Sequence, residues 1–172
     1  MRPYIAFFSY GGILPVTFDA LLHEFFEAGR RGIVLSYSRV SDDALISRSR
    51  SRAASAFVAQ ADCDVFFMLD HDIEWRMGDL IETCEKAVET GAVVAGAYSL
   101  RGLHGGISSR TEGVDVAVRP GTDRLPPAVY LASGFCAIPR AVLEGVRDRL
   151  AGPDVSSDMR VRLVGRSDGT GT

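Results

Sequence analysis

Asp64-Val65-Phe66-Phe67-Met68-Leu69-Asp70-His71-Asp72 is the stretch on which the reading of the chain turns. A short, unbroken apolar run rich in β-branched and aromatic residues predicts a strand buried on both faces. It ends abruptly in Asp70-His71-Asp72, with Glu74 and Trp75 close behind. Two carboxylates two residues apart diverge on an extended strand, but on a turn they converge on one hard cation. Mg²⁺ and Mn²⁺ accept one or two protein carboxylates and take their remaining oxygens from a diphosphate and water. The competing reading of Asp70 and Asp72 is plainer: both cap the following turn through backbone amides.

Outward from this strand the pattern alternates. Tyr4 to Phe8 is a second apolar run, closed by Ser9-Tyr10-Gly11-Gly12, and predicts a buried strand feeding a glycine turn. Pro15 and Thr17 then open a helix whose apolar residues Phe18, Leu21, Leu22, Phe25 and Phe26 recur at helical spacing, with a stop at Gly29 or Gly32. Gly32 to Tyr37 is the next strand. Ser41-Asp42 offers an N-cap for a helix to about Ala61, with Leu45, Ala53, Ala54, Phe57, Val58 and Ala61 inward. Downstream of the Asp-x-Asp, Gly78-Asp79 starts a helix through about Thr90, with Leu80, Ile81, Cys84 and Val88 inward, and Ala92 to Ala97 is a strand. Beyond Ser99 the order weakens: 102–127 is rich in glycine, proline and charge, with Val114 to Val118 as a hairpin arm. Val129 to Ala132 is a further strand and Pro139 to Leu150 a last helix.

Strand and helix in alternation predict an α/β fold, a mostly parallel sheet flanked by helices on both faces. Ligands of such sheets bind outside the carboxyl ends of the strands, which draws attention to the residues just after Phe8, Leu69 and Ala97, among them Ser9, Tyr10 and Gly11 in the first place and Asp70 and Asp72 in the second. Residues 1–150 form the expected domain, and 151–172 an irregular tail. The 172 residues, 47% hydrophobic and 24% charged, suffice for one core without disulfides or structural metal. Nineteen basic against 22 acidic residues leave a net charge of -3, so there is no nucleic-acid footprint. Three scattered cysteines, no signal-like segment and no apolar stretch of membrane-spanning length predict a cytoplasmic protein.

These residues carry a resemblance to a family. Asp70-His71-Asp72-Ile73-Glu74-Trp75 at the end of its strand resembles the Asp-x-Asp segment of bacterial and phage-type, family-2-like glycosyltransferases of the GT-A fold. Four further pieces follow the family's order: Ile5 to Gly12, Ser49-Arg50-Ser51-Arg52 with Phe57, Val94 to Arg101, and Ala132-Ser133-Gly134-Phe135 to Arg140. The resemblance implies a Rossmann-like nucleotide-diphospho-sugar transferase fold and a metal-dependent transfer of a sugar from a UDP- or GDP-sugar to a hydroxyl of a glycan, lipid or protein. It implies Mn²⁺ or Mg²⁺ held by Asp70 and Asp72. It implies a donor site at Ser9, Tyr10, Gly11, Arg50, Asp70 and Arg101, and an acceptor side at Ser133, Gly134 and Phe135. Ser51 stands where the family usually has asparagine, and Arg101 where it often has lysine.

An inverting transferase needs a carboxylate to deprotonate the acceptor hydroxyl. The family draws it from a Glu-Asp pair after the Gly134-Phe135 segment, and this chain has no such pair there; Asp154, Asp158 and Asp168 lie in no recognisable context. The catalytic base is therefore unassigned, and the alternative is a shortened or frameshifted, non-catalytic nucleotide-sugar-binding protein. A phosphatase of the haloacid dehalogenase type also places Asp-x-Asp after an apolar strand, with the first Asp as nucleophile. That motif normally opens its domain, whereas Asp70 follows two strand-helix units. His71 reads as a filler, Arg48 and Arg52 as a solvated helix face, and His104 as part of a surface loop. Trp75 is left between stacking on a sugar and packing in the core.

Overall fold

In a computed structural model of the chain, residues 1–41, 43, 45–60, 62–98, 110–111 and 128–150 are described. Arg101, His104, the 114–118 arm and the 151–172 tail lie outside them. The elements run β1 (Pro3–Ser9), α1 (Pro15–Arg30), β2 (Ser36–Ser41), α2 (Ile46–Ala59), β3 (Val65–Asp70), α3 (Asp79–Thr90), β4 (Val94–Ala95), β5 (Arg110–Thr111), β6 (Ala128–Tyr130), β7 (Phe135–Pro139) and α4 (Arg140–Leu150). One sheet has the order β2-β1-β3-β7-β4, and β5 and β6 pair separately.

β1 lies parallel to β2 on one side and to β3 on the other, so the two crossovers run in opposite directions along the sheet. Parallel crossovers are right-handed, so reversing direction sends the second helix to the other face. Alternate residues of β1 and β3 serve the two faces accordingly. Ile5, Phe7, Phe67 and Leu69 pack with Leu21 of α1 and Leu80 and Cys84 of α3. Tyr4, Ala6, Phe8, Phe66 and Met68 pack with Ala53, Ala54 and Phe57 of α2 and Leu143 of α4. The result is helix, sheet, helix, as expected, with five strands in the main sheet.

The sheet is mixed rather than uniformly parallel: β7 runs antiparallel to both β3 and β4 and separates them. The segment Phe135-Cys136-Ala137-Ile138-Pro139 is wholly buried, a strand the periodicity reading passed over in favour of Val129 to Ala132. The latter corresponds to β6. β2 begins at Ser36 rather than Gly32, because it is an edge strand whose half-buried, half-exposed alternation Ser-Tyr-Ser-Arg-Val-Ser replaces the continuous apolar run expected. Ile33, read as strand, instead donates its amide to the Ala28 carbonyl at the end of α1. β4 shrinks to two residues at the other edge, where Gly96 lies against the Phe135 ring. No helix among the described residues is long and apolar enough to cross a membrane.

Candidate functional site

The chain leaves β1 toward β2 and leaves β3 toward the opposite half of the sheet. Diverging loops open a crevice at the carboxyl ends of those strands. A cavity of about 220 Å³ occupies it, lined by Phe8, Ser9, Tyr10, Val40, Asp43, Ile46, Ser49, Asp70, His71 and Asp72. Ser9 and Asp70 arrive as the last residues of paired strands, with Phe8 opposite Asp70 in register. Gly11 turns with φ of 91°, a left-handed conformation that glycine adopts without steric cost. Tyr10 beside it is exposed.

Asp70 does not stand alone. Arg50, projecting from α2, donates from Nη2 to both carboxylate oxygens at 2.9 and 3.0 Å, and from Nη1 to Ser133 Oγ. Its guanidinium carbon lies 5.7 Å from the centroid of the Phe8 ring. Its Nε is buried without a hydrogen-bond partner. The Asp70 amide donates to the Gly134 carbonyl at 2.8 Å, which ties the end of β3 to the start of β7. A Cβ on Gly134 would fall 2.6 Å from Tyr98 Oη and 2.8 Å from both Asp70 Oδ2 and Ile73 Cδ1, so this position accepts only glycine as it stands. Burial, reinforced by the Asp70 charge, raises the Tyr98 phenol above its ordinary value, and the Gly134 N–H acts against that shift.

The structure thus brings together Ser9, Tyr10, Asp70 and Asp72 on one cavity, with Arg50, Ser133 and Gly134 behind Asp70. Phe135 lies apart from them, buried edge-on against Phe67 at 4.8 Å and beside Trp75 at 5.5 Å. Ser51 turns its hydroxyl back to the Ser47 carbonyl of its own helix, and Arg52 is exposed. Arg48, read as solvated, pairs with Asp43 at 2.6 Å. His71, set aside in sequence, lines the cavity.

Two contributors went unseen. Arg39 of β2 donates to Ser9 Oγ at 3.1 Å and to the Gly11 carbonyl at 3.3 Å, fixing the turn after β1. Asp43 accepts from Arg48 and from the Leu45 amide, which hold its carboxyl well below the usual carboxylate range. The N-cap position of α2 falls at Leu45, without a side-chain cap, rather than at Ser41-Asp42, of which Asp42 lies outside the described residues. The signal for both was the register of β2, since a strand over 36–41 delivers Arg39 and Asp43 to the crevice and a strand over 32–37 does not.

No group of three or more His, Cys, Asp or Glu side chains able to hold a metal ion occurs among the described residues. Asp70 and Asp72 remain two carboxylates on one cavity, a donor set that fits Mg²⁺ or Mn²⁺ when a diphosphate supplies the other oxygens.

Fold and site together define a helix-sheet-helix protein with an acidic crevice at the carboxyl ends of its parallel strands. It is similar to the crystal structure of A197 from STIV, with a TM-score of 0.56 and 22% identity over 84% of this chain and 68% of that one. At that identity the likeness shows the fold alone. No protein-family model matches the chain, and no curated protein does. The resemblance to GT-A glycosyltransferases is therefore not upheld: no family match carries it, the structural relative does not bear that name, and the sheet is mixed.

Proposed function

We propose that the chain binds a nucleoside diphosphate sugar together with a divalent cation in the β1–β3 crevice and transfers the sugar to an acceptor hydroxyl. The observation that carries this reading is the meeting of Ser9, Tyr10, Asp70 and Asp72 on one cavity, with Arg50 poised on Asp70. Three parallel strands ending on the crevice support the finer architecture, a Rossmann-like nucleotide-diphospho-sugar transferase arrangement. Tyr10 offers a flat exposed face for a base, and the Gly11 turn permits close backbone approach. Arg50, engaged by Asp70 and Ser133, contributes positive charge behind the crevice that a diphosphate would feel. Mg²⁺ or Mn²⁺, when bound, would neutralise charge on the departing diphosphate. Arg50 engages both Asp70 oxygens in the ligand-free chain, and a cation held by Asp70 would displace it from one of them. The chain's one lysine, Lys86, sits on α3 against Glu89, 3.2 Å away. Three buried, unbridged cysteines support a cytoplasmic setting.

Two carboxylates, with no group of three or more metal-binding side chains among the described residues, predict that cation and nucleotide bind together. UDP or GDP with Mn²⁺ should raise the melting temperature, since ligand at 100 times its Kd adds about 2.7 kcal/mol, and Mn²⁺ alone should do far less. No shift with any nucleoside diphosphate would overturn the reading. Nucleotide-sugar hydrolysis abolished in Asp72→Ala supports an enzyme; nucleotide binding without hydrolysis in the wild type leaves a non-catalytic binding protein.

A further inference from the structure

α1 carries more apolar surface than the core of its own chain uses. Beside its buried face runs a second stripe, Pro15, Phe18, Leu22, Phe25, Phe26 and Gly29, spaced three and four apart and free of charge. The four large side chains of the stripe are 38% to 68% exposed. The stripe lies on the β2 side of the helix: the Phe25 ring meets Tyr37 of β2 edge-on, 6.3 Å between centroids, and Tyr37 in turn lies 6.2 Å from Phe7 of β1. Tyr37 is itself 42% exposed, so aromatic surface overhangs the edge of the sheet.

β2 is that edge, and among the described residues it pairs with β1 alone. Edge strands are ordinarily guarded by Pro, Lys, bulges or inward charges. Ser36-Tyr37-Ser38-Arg39-Val40-Ser41 has neither Pro nor Lys, keeps an unbroken register with β1, and folds its one charge, Arg39, back onto Ser9 and the Gly11 carbonyl. An open edge beneath an apolar overhang is what a sheet needs in order to continue. The next strand would hydrogen-bond to β2, and the helix covering that strand would lie against the stripe.

We propose that a second copy of this chain fills both places: β2 pairs antiparallel with β2 of a twofold-related copy, and the two α1 stripes meet over the seam. Antiparallel pairing about a twofold puts both α1 helices on the same face of the joined sheet, so each stripe meets its own counterpart and the assembly closes as a dimer. The area is of the right size. An aromatic side chain presents about 200 Å², so Phe18, Phe25, Phe26 and Tyr37, with Leu22 and the exposed Val34, leave roughly 500 Å² of apolar surface in water on each copy. A standard interface takes about 800 Å² per partner, and the outer edge of 36–41 supplies the remainder. The chain's own residues after α4 depart from the other face of the sheet, where α4 packs with α2. Both partners are folded before they meet, so the stripe governs association and leaves the stability of the monomer as it is.

Sedimentation of the full chain from about 1 to about 200 µM, without nucleotide or metal, should show the mass rising from the 18.5 kDa of one chain to twice that. Leu22→Glu places a charge in the seam and should raise the dimer dissociation constant at least about tenfold. Phe18→Ser, which removes apolar area without adding charge, should raise it at least about threefold and decides the matter if Leu22→Glu does not fold. Amide exchange within 36–41 should slow as concentration rises in the wild type. A mass of one chain over the whole range overturns the proposal, as do open-ended assemblies in place of a closed dimer. A dimer whose affinity neither variant weakens, or one that forms without slowing exchange in 36–41, is held together elsewhere and overturns it as well.

Discussion

Gly134 shows how one residue couples β3, β7 and the end of β4. Its Cα fills a space that Asp70, Tyr98 and Ile73 leave only for hydrogen, with a would-be Cβ 2.6 to 2.8 Å from all three. Asp70 cannot retreat freely, because Arg50 grips both its oxygens and is itself held by Ser133. Gly134→Ala should therefore displace the Asp70 carboxylate, lower stability by about 1–3 kcal/mol through overpacking, and weaken the proposed nucleotide binding by more than the stability loss explains. Gly145, inside α4 with nothing within 4 Å of its would-be Cβ, supplies the control. Gly145→Ala should stabilise by about 0.5–1 kcal/mol on helix propensity alone. Urea unfolding of both variants, read beside nucleotide titration, checks the pair; an unperturbed Gly134→Ala would remove Gly134 from the site. The sequence displayed this glycine within a recognisable segment, but nothing in one chain's residues tells which three side chains crowd it.

Elements were legible where burial and periodicity agreed. β1, β3 and α3 fall close to the expected bounds because a strand buried on both faces is a continuous apolar run and α3 begins at a glycine with φ of 97°. α1 has the expected length but presents the other face. Thr17, Ala20, Leu21, Glu24, Glu27 and Ala28 are buried; of the expected inward stripe only Leu21 is among them, whereas Phe18, Leu22, Phe25 and Phe26 are exposed. The physical reason is Glu24, fully buried, whose carboxylate accepts from Trp75 Nε1 at 3.1 Å and from the Gly78 and Ile81 amides at 2.9 and 3.0 Å. It satisfies two amides at the start of α3, which outweighs turning the phenylalanines inward. Small residues on the same face let the helix approach the sheet. Val88 is likewise exposed while Ala87 is buried in its place. Phe26→Ser should then change stability by no more than about 0.5 kcal/mol, as surface substitutions do. Glu24→Ala, leaving two buried amides and the part-buried Trp75 Nε1 unpaired, should cost about 3 kcal/mol. Chemical denaturation checks both, and the opposite ranking would restore the periodicity reading of α1.

At the scale of the whole molecule, strand order follows from connection geometry only as far as β3. Two right-handed crossovers in opposite directions give β2-β1-β3 and the crevice between their ends; the alternation in the sequence predicts a mostly parallel sheet and ligands at its carboxyl ends, but not the reversal that sets this order. The insertion of β7 between β3 and β4 is not readable either, because it depends on pairing across about seventy residues and leaves no local signature. That insertion closes the core over the cysteines. Cys63, Cys84 and Cys136 are all buried and unbridged. Burial raises the Cys84 thiol well above its ordinary value and pushes Cys136 up to about 12. The thiolate is the reactive form, so both are protected in the folded chain twice over, by access and by protonation. Labelling by a thiol reagent at pH 8 should proceed only through global opening, on the order of a thousandfold or more slower than in the unfolded chain. The pH dependence has a definite sign. An unfolded cysteine releases its proton near pH 8.5 while the folded one keeps it. Above that pH the unfolded state binds fewer protons, so stability falls as pH rises toward 12 and is unaffected by these groups below about 8. Urea midpoints measured at pH 7.5 and 10 should therefore decline in the wild type and decline less in Cys84→Ala, Cys136→Ala; rapid labelling in native buffer at any of the three thiols would show that the core does not close as described.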